Sequence, residues 1–487
     1  MSIYGEYLKK YIKEKGISVR KLSIETNINR TLLQKYLSGD RLPKDIEEVE
    51  HISECLMLSP EKQEKLKEGY NKSCYGVKRY ESFLMIQDIL NGLVDFQLNT
   101  SIGEGKNKKT LNQKEKKSVF SAYRKCEVCL GAMEVENMLR IIIKEQILSG
   151  QKSKLCILSQ PEAGKLLPIV LSVCVGQSVE IEQIVCLDED FADGNSNMHI
   201  IYNILPMLFS NINYQSFYYY DKKDAHINSM SLLPVLIITD NYGMVCNAGM
   251  DEGLVFYDEE SVNFYLRQYQ KIKKRTSLLT GHLRTITEWM TFIRNFVTEM
   301  ATAEICIGET PCFTACLDER MFTHYLTLKN EDRCFLIEVL SDNRNKLMQN
   351  KGITNIFSES GLREFMETGR SKEYPDSCYC PFTPSDRRII LERAIHLAEE
   401  GVILYNMTNS FFLKLDKSLL IYINEKIVFQ YQKKHCLSQY FHINERTVRQ
   451  EFQDFVNFAK KNKWIYGENE TLLRMRAILA EYEKKVL

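Results

Sequence analysis

No stretch of this 487-residue chain is apolar for the roughly 18 residues that a membrane-spanning helix requires, so no transmembrane segment and no membrane partner is expected. Net charge is also missing: 64 Lys and Arg are balanced by 64 Asp and Glu. A neutral total does not exclude nucleic acid, because a local basic face is enough to hold it. The opening residues MSIYGEYLKKYIKEKG are charged and amphipathic and lack the apolar centre of a secretory signal, so a cytoplasmic location is expected. Fifteen cysteines, an odd and scattered set in a long chain, suggest reduced thiols and not a disulfide framework.

Signatures of catalysis are missing as well. There is no Gly-x-Ser-x-Gly and no dinucleotide fingerprint. Gly103-Glu104-Gly105-Lys106 lacks the preceding strand, the following helix and the Ser or Thr that a phosphate loop needs, so it reads as linker. Cys126-x-x-Cys129 and Cys378-x-Cys380 are far apart and have no nearby His pair, which leaves zinc short of its four ligands. Asp188-Glu189-Asp190 sits where a strand ends, and it reads first as a solvated acidic loop. Neither a metal nor a cofactor is expected, and no catalytic residue is assigned.

The composition, 44% hydrophobic and 26% charged, is that of a soluble globular protein, and the length suggests about three domains. The most informative stretch is Ser18 to Gly39, SVRKLSIETNINRTLLQKYLSG. Ser18 can cap a first helix that buries Leu22. Asn27 falls at a sharp turn, where Asn tolerates the left-handed conformation. Ile28 follows beside the turn, and Asn29 caps a second helix. Leu33, Tyr36 and Leu37 give that helix an apolar stripe at i, i+3, i+4 spacing. Arg30, Thr31, Gln34 and Lys35 remain outward, as donors that suit base edges and phosphates in a major groove. The alternative is an ordinary solvated helix face.

This segment resembles the helix-turn-helix of the Cro/phage-repressor (XRE) class of bacterial transcriptional regulators. The likeness lies in Leu22-Ser23, Ile28, Asn29-Arg30-Thr31, Leu33, Lys35, Tyr36 and the exit Ser38-Gly39-Asp40-Arg41-Leu42-Pro43. Asn27 stands where the family usually has Gly, and Leu37 where it often has Glu. The resemblance covers about the first seventy residues. It implies a compact five-helix module that binds double-stranded DNA. Arg30, Thr31, Gln34 and Lys35 would enter the major groove, behind the Asn29 cap. Ser18, Arg20 and Arg41 would hold phosphates, with Lys44 near them. One such module binds weakly, so a homodimer reading two half-sites about one helical turn apart is expected.

Around that motif, Tyr4 to Lys15 reads as a first helix ended by Gly16. Ile46 to Leu58 reads as a fourth, and Ser59-Pro60 opens a fifth. The expected domains are the helix-turn-helix module 1–75, a connector helix and polar Lys-rich linker 76–118, and α/β sensing halves 119–280 and 281–487. The connector helix, Tyr80 to Leu98, would either pack on the second domain or dimerise.

From residue 119 strands alternate with helices, the pattern of a mixed α/β region. A strand-Asp-turn-strand-strand-helix order around Asp240 recurs around Asp416, with Phe411–Leu415 read as the strand before it. Val262, Leu266 and Tyr269 then match Val448, Phe452 and Phe455. The halves are either an internal duplication or two ordinary meander-plus-helix units. Leu437–Phe455, within 435–461, also resembles a winged-helix motif through Asn444-Glu445-Arg446-Thr447-Val448-Arg449, or else packs on its own sheet. The fold class expected is multidomain, an all-α module followed by a large mixed α/β region. The expected function is sequence-specific transcriptional regulation, tuned by a small-molecule or protein effector. The alternative is a DNA-targeted enzyme, such as a defence or mobile-element effector.

Overall fold

The computed structural model describes residues 2–92, 126–149, 153–160, 166–188, 196–210, 212–221, 233–283, 304–328, 330–349, 352–371, 373, 379–431 and 439–486. The first part is helical: α1 (Ile3–Lys15), α2 (Val19–Thr26), α3 (Arg30–Ser38), α4 (Ile46–Cys55), α5 (Pro60–Tyr75) and α6 (Val77–Leu90). Local chemistry sets the ends. Ser18 Oγ accepts from Lys21 N–H at 3.2 Å, and Asn29 Oδ1 accepts from Thr31 N–H at 2.8 Å. Asn27 closes α2 at φ 56°, and Gly39 closes α3 at φ 83°. Gly39 is also a close approach: a Cβ there would lie 2.5 Å from Ser2 N. Tyr4, Leu8, Leu22, Leu33, Tyr36, Val49, Ile52 and Leu66 form the core of this module.

The remainder is a mixed α/β region with two sheets. Its first half runs β1 (Cys126–Leu130), α7 (Ala132–Leu148), β2 (Ser153–Leu158), α8 (Leu166–Cys174), β3 (Val179–Leu187), α9 (Ser196–Phe209) and β4 (Asn213–Tyr220). It continues with β5 (Val235–Ile238), β6 (Gly243–Cys246), β7 (Glu252–Phe256), α10 (Glu259–Lys273) and β8 (Ser277–Leu278). The second half runs β9 (Thr280–Leu283), β10 (Ile305–Gly308), α11 (Glu319–Tyr325), α12 (Asn330–Gln349), β11 (Ile353–Phe357), α13 (Glu359–Thr368), α14 (Pro384–Glu399) and β12 (Ile403–Met407). Then come β13 (Leu419–Ile423), β14 (Ile427–Tyr431), β15 (Gln439–Ile443), α15 (Arg446–Lys461) and α16 (Glu468–Val486).

The sheets repeat one topology. The first has the order β1-β7-β6-β5-β2-β3-β4-β8, and the second, read from its other edge, β9-β15-β14-β13-β10-β11-β12. In both, a parallel trio (β2-β3-β4, β10-β11-β12) adjoins an antiparallel meander, and the strand that opens the half pairs with the last meander strand. α10 and α15 follow equivalent strands, and Val262 and Tyr269, Val448 and Phe455 are all buried on them.

Two expectations are corrected. Phe411–Leu415 is not a strand: Asn409 O accepts from Phe412 and Leu413 N–H at 2.9 Å, and Phe411 is 85% exposed. Asp416 therefore precedes β13, whereas Asp240 lies between β5 and β6. Its topological counterpart is the turn Asn424–Lys426 between β13 and β14. The winged-helix reading of 435–461 also fails. Gln439–Ile443, where a first helix would be needed, is strand β15, paired on both sides. α15 buries Val448, Phe452 and Phe455, and Glu445 caps it by accepting from Val448 N–H at 2.8 Å.

The halves share a core. α10 covers one face of the first sheet (Cys156, Ile184, Leu236, Val245), and Lys273 Nζ reaches the buried Glu182 Oε1 at 2.6 Å. The opposite face, with Leu155, Ile157, Ile181 and Val185, joins α7, α8 and α9 in one cluster. That cluster also holds Ile307, Ile421, Phe429 and Phe441 of the second sheet and the apolar face of α15. Residues 277–283 link the sheets: Leu279 N–H donates to Ser216 O at 2.9 Å, and Leu279 O accepts from Asn444 N–H at 3.2 Å. The other face of β11 and β12 packs on α12, α13, α14 and α16.

Helix α6 packs on the α/β region, the first of its two expected roles. Phe83, Ile86, Ile89 and Leu90 enter the shared core, with the Phe83 ring stacked 4.8 Å from Phe458. Arg79 pairs with Asp454, and Asp416 N–H donates to Leu90 O at 2.7 Å. The Lys-rich linker, residues 99–118, lies outside the described residues.

The turn and the seam each carry a stability prediction. Asn27→Ala forces an ordinary side chain into left-handed backbone and is expected to weaken the α2–α3 turn by roughly 1 kcal/mol, while Asn27→Gly keeps it. Hydrogen exchange of the α2 and α3 amides reads this difference. Phe83→Ala is expected to cost about 3–5 kcal/mol as a large core deletion, read as a lowered denaturation midpoint with faster exchange in α6 and α15.

Candidate nucleic-acid interface

The apolar stripe of α3 decides which of its side chains face water. Leu33 and Tyr36 are buried and Leu37 is half-buried against the module core. Arg30, Thr31, Gln34 and Lys35 are thereby turned outward, and all four are exposed. Arg30 with Gln34, and Thr31 with Lys35, are i, i+4 neighbours, so the four share one helix face. Ser18, Arg20, Asn29 and Arg41 are exposed too, at the start of α2, ahead of α3 and just beyond it. The structure thus brings the eight sequence-selected residues to α2, α3 and the turns that bound them.

Two of these residues have part of their bonding capacity engaged. Ser18 Oγ accepts from Lys21 N–H, which leaves its hydroxyl proton to donate outward. Asn29 uses Oδ1 in its cap and keeps the amide nitrogen as a donor. Ser23 Oγ donates to Ile28 O at 2.6 Å, tying the body of α2 to the turn.

The sequence pattern does not reveal the role of Glu48. One of its oxygens accepts from the Tyr36 hydroxyl at 3.0 Å, and the other accepts from Lys44 N–H at 2.6 Å. Burial, reinforced by this carboxylate, pushes the Tyr36 phenol up to about 12. Glu48 therefore holds the buried face of α3 and the loop carrying Arg41 in one register.

The charge is asymmetric. Between Ser18 and Arg41 the chain has five basic residues and two acidic ones. Glu25 pairs with Lys21 at 3.7 Å, and Asp40 accepts from Ser38 Oγ at 2.6 Å. Among the described residues, no carboxylate lies within ion-pair distance of Arg20, Arg30, Lys35 or Arg41. The lysines of α5 behave differently. Lys62, Lys65, Lys67 and Lys72 are all paired with glutamates, at 2.6 Å to 2.9 Å. Lys44, the further phosphate candidate, is exposed and 3.8 Å from Asp45.

Other chemistry-bearing groups assemble differently. Cys126 and Cys129 are three apart on strand β1, one exposed and one buried, so they face opposite sides. Cys378, Glu189 and Asp190 lie outside the described residues. In the second half, Glu373 accepts from Phe313 N–H at 3.1 Å, and Tyr405 Oη donates to Cys312 O at 3.1 Å. Burial, with the Cys312 thiol beside it, holds the Glu373 carboxyl well above the usual range. Cys312, Cys316, Glu373 and Tyr405 are all buried. Among the described residues no group of three or more His, Cys, Asp or Glu is placed to hold a metal ion.

No known family model matches this chain, and no curated protein matches it. The solved structures that share limited likeness include the following two. One is TrmBL2, described as an archaeal chromatin protein with a novel mode of DNA binding. It is 10% identical with a TM-score of 0.22, over 46% of this chain and 72% of that one. The other is the phosphatidylserine synthase of Haemophilus influenzae Rd KW20, 9% identical with a TM-score of 0.23, over 74% of this chain and 92% of that one. At these scores neither likeness bears on function.

Proposed function

We propose that this protein is a sequence-specific transcriptional regulator of the helix-turn-helix kind, acting on double-stranded DNA through α3 as a homodimer in the cytoplasm. The observation that carries the reading is the set of exposed cations Arg20, Arg30, Lys35 and Arg41, without an ion pair among the described residues, around a capped helix that also presents Thr31 and Gln34. Arg30, Thr31, Gln34 and Lys35 meet base edges in the major groove. Ser18, Arg20 and Arg41 hold the phosphates that set its depth and angle. Neutralising a phosphate costs such cations no internal ion pair, so released counterions supply the affinity.

The α/β region orients two modules for paired half-sites, and an effector acts by binding one arrangement better than another. Edge strand β1 suits self-association. Its Val128 and Leu130 are 61% and 66% exposed, and β1 pairs only with β7 among the described residues.

Crosslinking and sequencing of DNA bound to the full-length protein in cells is expected to return a small set of sites sharing a paired motif. Diffuse or absent binding would sink the proposal. On such a site, Arg30→Ala with Lys35→Ala is expected to abolish sequence discrimination while leaving the helical content unchanged, at roughly 1–3 kcal/mol for each base-specific interaction removed. Arg41→Ala is expected to weaken all DNA alike and to lower the slope of log affinity against log salt by about 0.9. An unaltered operator affinity in the double variant would remove Arg30 and Lys35 from the interface. By sedimentation, Val128→Lys with Leu130→Lys is expected to convert a dimer to a monomer.

A further inference from the structure

A cavity of about 200 Å³ opens in the first sheet. Leu158, Ser159 and Gln160 at the carboxyl end of β2 form its floor, with Ile184 and Cys186 of β3 and Tyr219 of β4 beside them. Leu236 of β5, Val245 of β6 and Tyr265 of α10 complete the walls. The carboxyl ends of parallel strands are the position at which open α/β sheets hold small ligands, at the point where the strand order turns. That point here is β2, with parallel β3 on one side and antiparallel β5 on the other.

The repeated topology makes the cavity informative. In the second sheet the corresponding face, under α15, is packed into the shared core by Ile421, Phe429 and Phe452. The first sheet turns its matching face outward under α10 and retains a hollow there. Of two equivalent surfaces, one makes the interface between the halves and the other is free for a ligand.

The lining decides the chemistry. Among the described residues that line the cavity there is no Lys, Arg, His, Asp or Glu, so a charged ligand held by them would lose its water without gaining a counter-charge. The walls are aliphatic on four strands, with two tyrosine rings. The Tyr265 ring stacks on Phe256 at 4.6 Å, which holds it upright at the rim. The polar lining is Ser159, Gln160 and the two tyrosines; Ser159 Oγ donates to Gln160 O at 3.2 Å and keeps its lone pairs to accept, a small polar complement within a mostly apolar site. An apolar cavity of about 150 Å³ holds benzene, so this volume suits one ring or two small fused ones, on the order of ten heavy atoms.

We infer that this cavity is a binding site for a small uncharged aromatic molecule carrying one hydrogen-bonding group. The inference rests on the effector part of the proposed regulation and not on DNA contact. The ligand sits against α10, whose C-terminus runs into the 277–283 segment that joins the two sheets.

The test uses the full-length protein without DNA and p-cresol and indole as probes, with binding read by saturation-transfer NMR and calorimetry. Saturable binding of either probe is expected. Ala248→Trp at the rim and Leu158→Phe on the floor, two independent ways of filling the space, are each expected to weaken it by about tenfold or more. 4-Hydroxybenzoate, a charged relative of p-cresol, is expected to bind at least about tenfold more weakly than p-cresol. Absence of saturable binding by both probes, or undiminished binding in folded forms of both variants, would overturn the site. Equal binding of 4-hydroxybenzoate would overturn the ligand class. Each outcome is read without operator DNA, so a failed ligand site and a failed DNA-binding module are told apart.

Discussion

Burial of one apolar surface by α6 organises the molecule. Phe83, Ile86, Ile89 and Leu90 leave water only because α9 and α15 meet them, and Phe458 stacks on Phe83 while Tyr75 packs against both rings. Apolar area removed from water contributes about 25 cal/mol per Å², which for a set of large side chains outweighs any single polar contact in the same region. The Arg79–Asp454 pair and the Asn71–Asn462 hydrogen bond add direction to this seam more than energy. The N-terminal helical part is thus seated on the α/β region, against α9 of its first half and α15 of its second. The Lys463–Glu47 pair at 2.8 Å bridges the same parts at the surface.

This seam connects the two ends of the proposed function. α3 presents cations that have no ion-pair partner among the described residues, and a surface of that kind gains by meeting phosphate. The cavity lies in the opposite half of the α/β region, on the face of the first sheet turned away from the shared core. Among the described residues, packed elements connect them: α10, the 277–283 link, the second sheet, α15 and α6, with α9 between α6 and the first sheet. Close-packed protein cores shift between discrete arrangements more readily than they deform, which is the property that an effector-dependent spacing of two DNA modules requires.

Legibility in the sequence varied with the range of the interaction responsible. The helix-turn-helix was readable residue by residue. Ser18, Asn27, Asn29 and Gly39 act on backbone groups within a few positions of themselves, and the i, i+3, i+4 stripe of Leu33, Tyr36 and Leu37 is a property of a single helix. β3 (Val179–Leu187) is rich in β-branched residues and ends on the apolar run Ile184–Leu187, a local signal for a strand. Phe411–Leu415 has the same texture but turns, since Asn409 offers the backbone local hydrogen bonds and Phe411 finds no partner face. The winged-helix likeness near Arg446 was a true helix start in a false context. Its cap is Glu445, and pairing of Gln439–Ile443 between β14 and β9 had already made the preceding residues a strand.

By itself, then, the sequence determined the helices, their caps, the outward residues of α3 and the alternating texture of the α/β region, because those depend on bonds and periodicities a few residues long. Only the tertiary structure decided which strands are neighbours, and so that Asp240 corresponds to the turn at Asn424 and not to Asp416. It also decided that α10 and α15, alike in sequence position, cover faces with different fates. Tertiary contact placed Glu48 between Tyr36 and the loop of Arg41, and gathered Leu158, Ile184, Tyr219, Leu236 and Tyr265 around one hollow. These outcomes depend on pairing between segments tens to hundreds of residues apart, and each segment can satisfy its own local preferences in more than one such pairing.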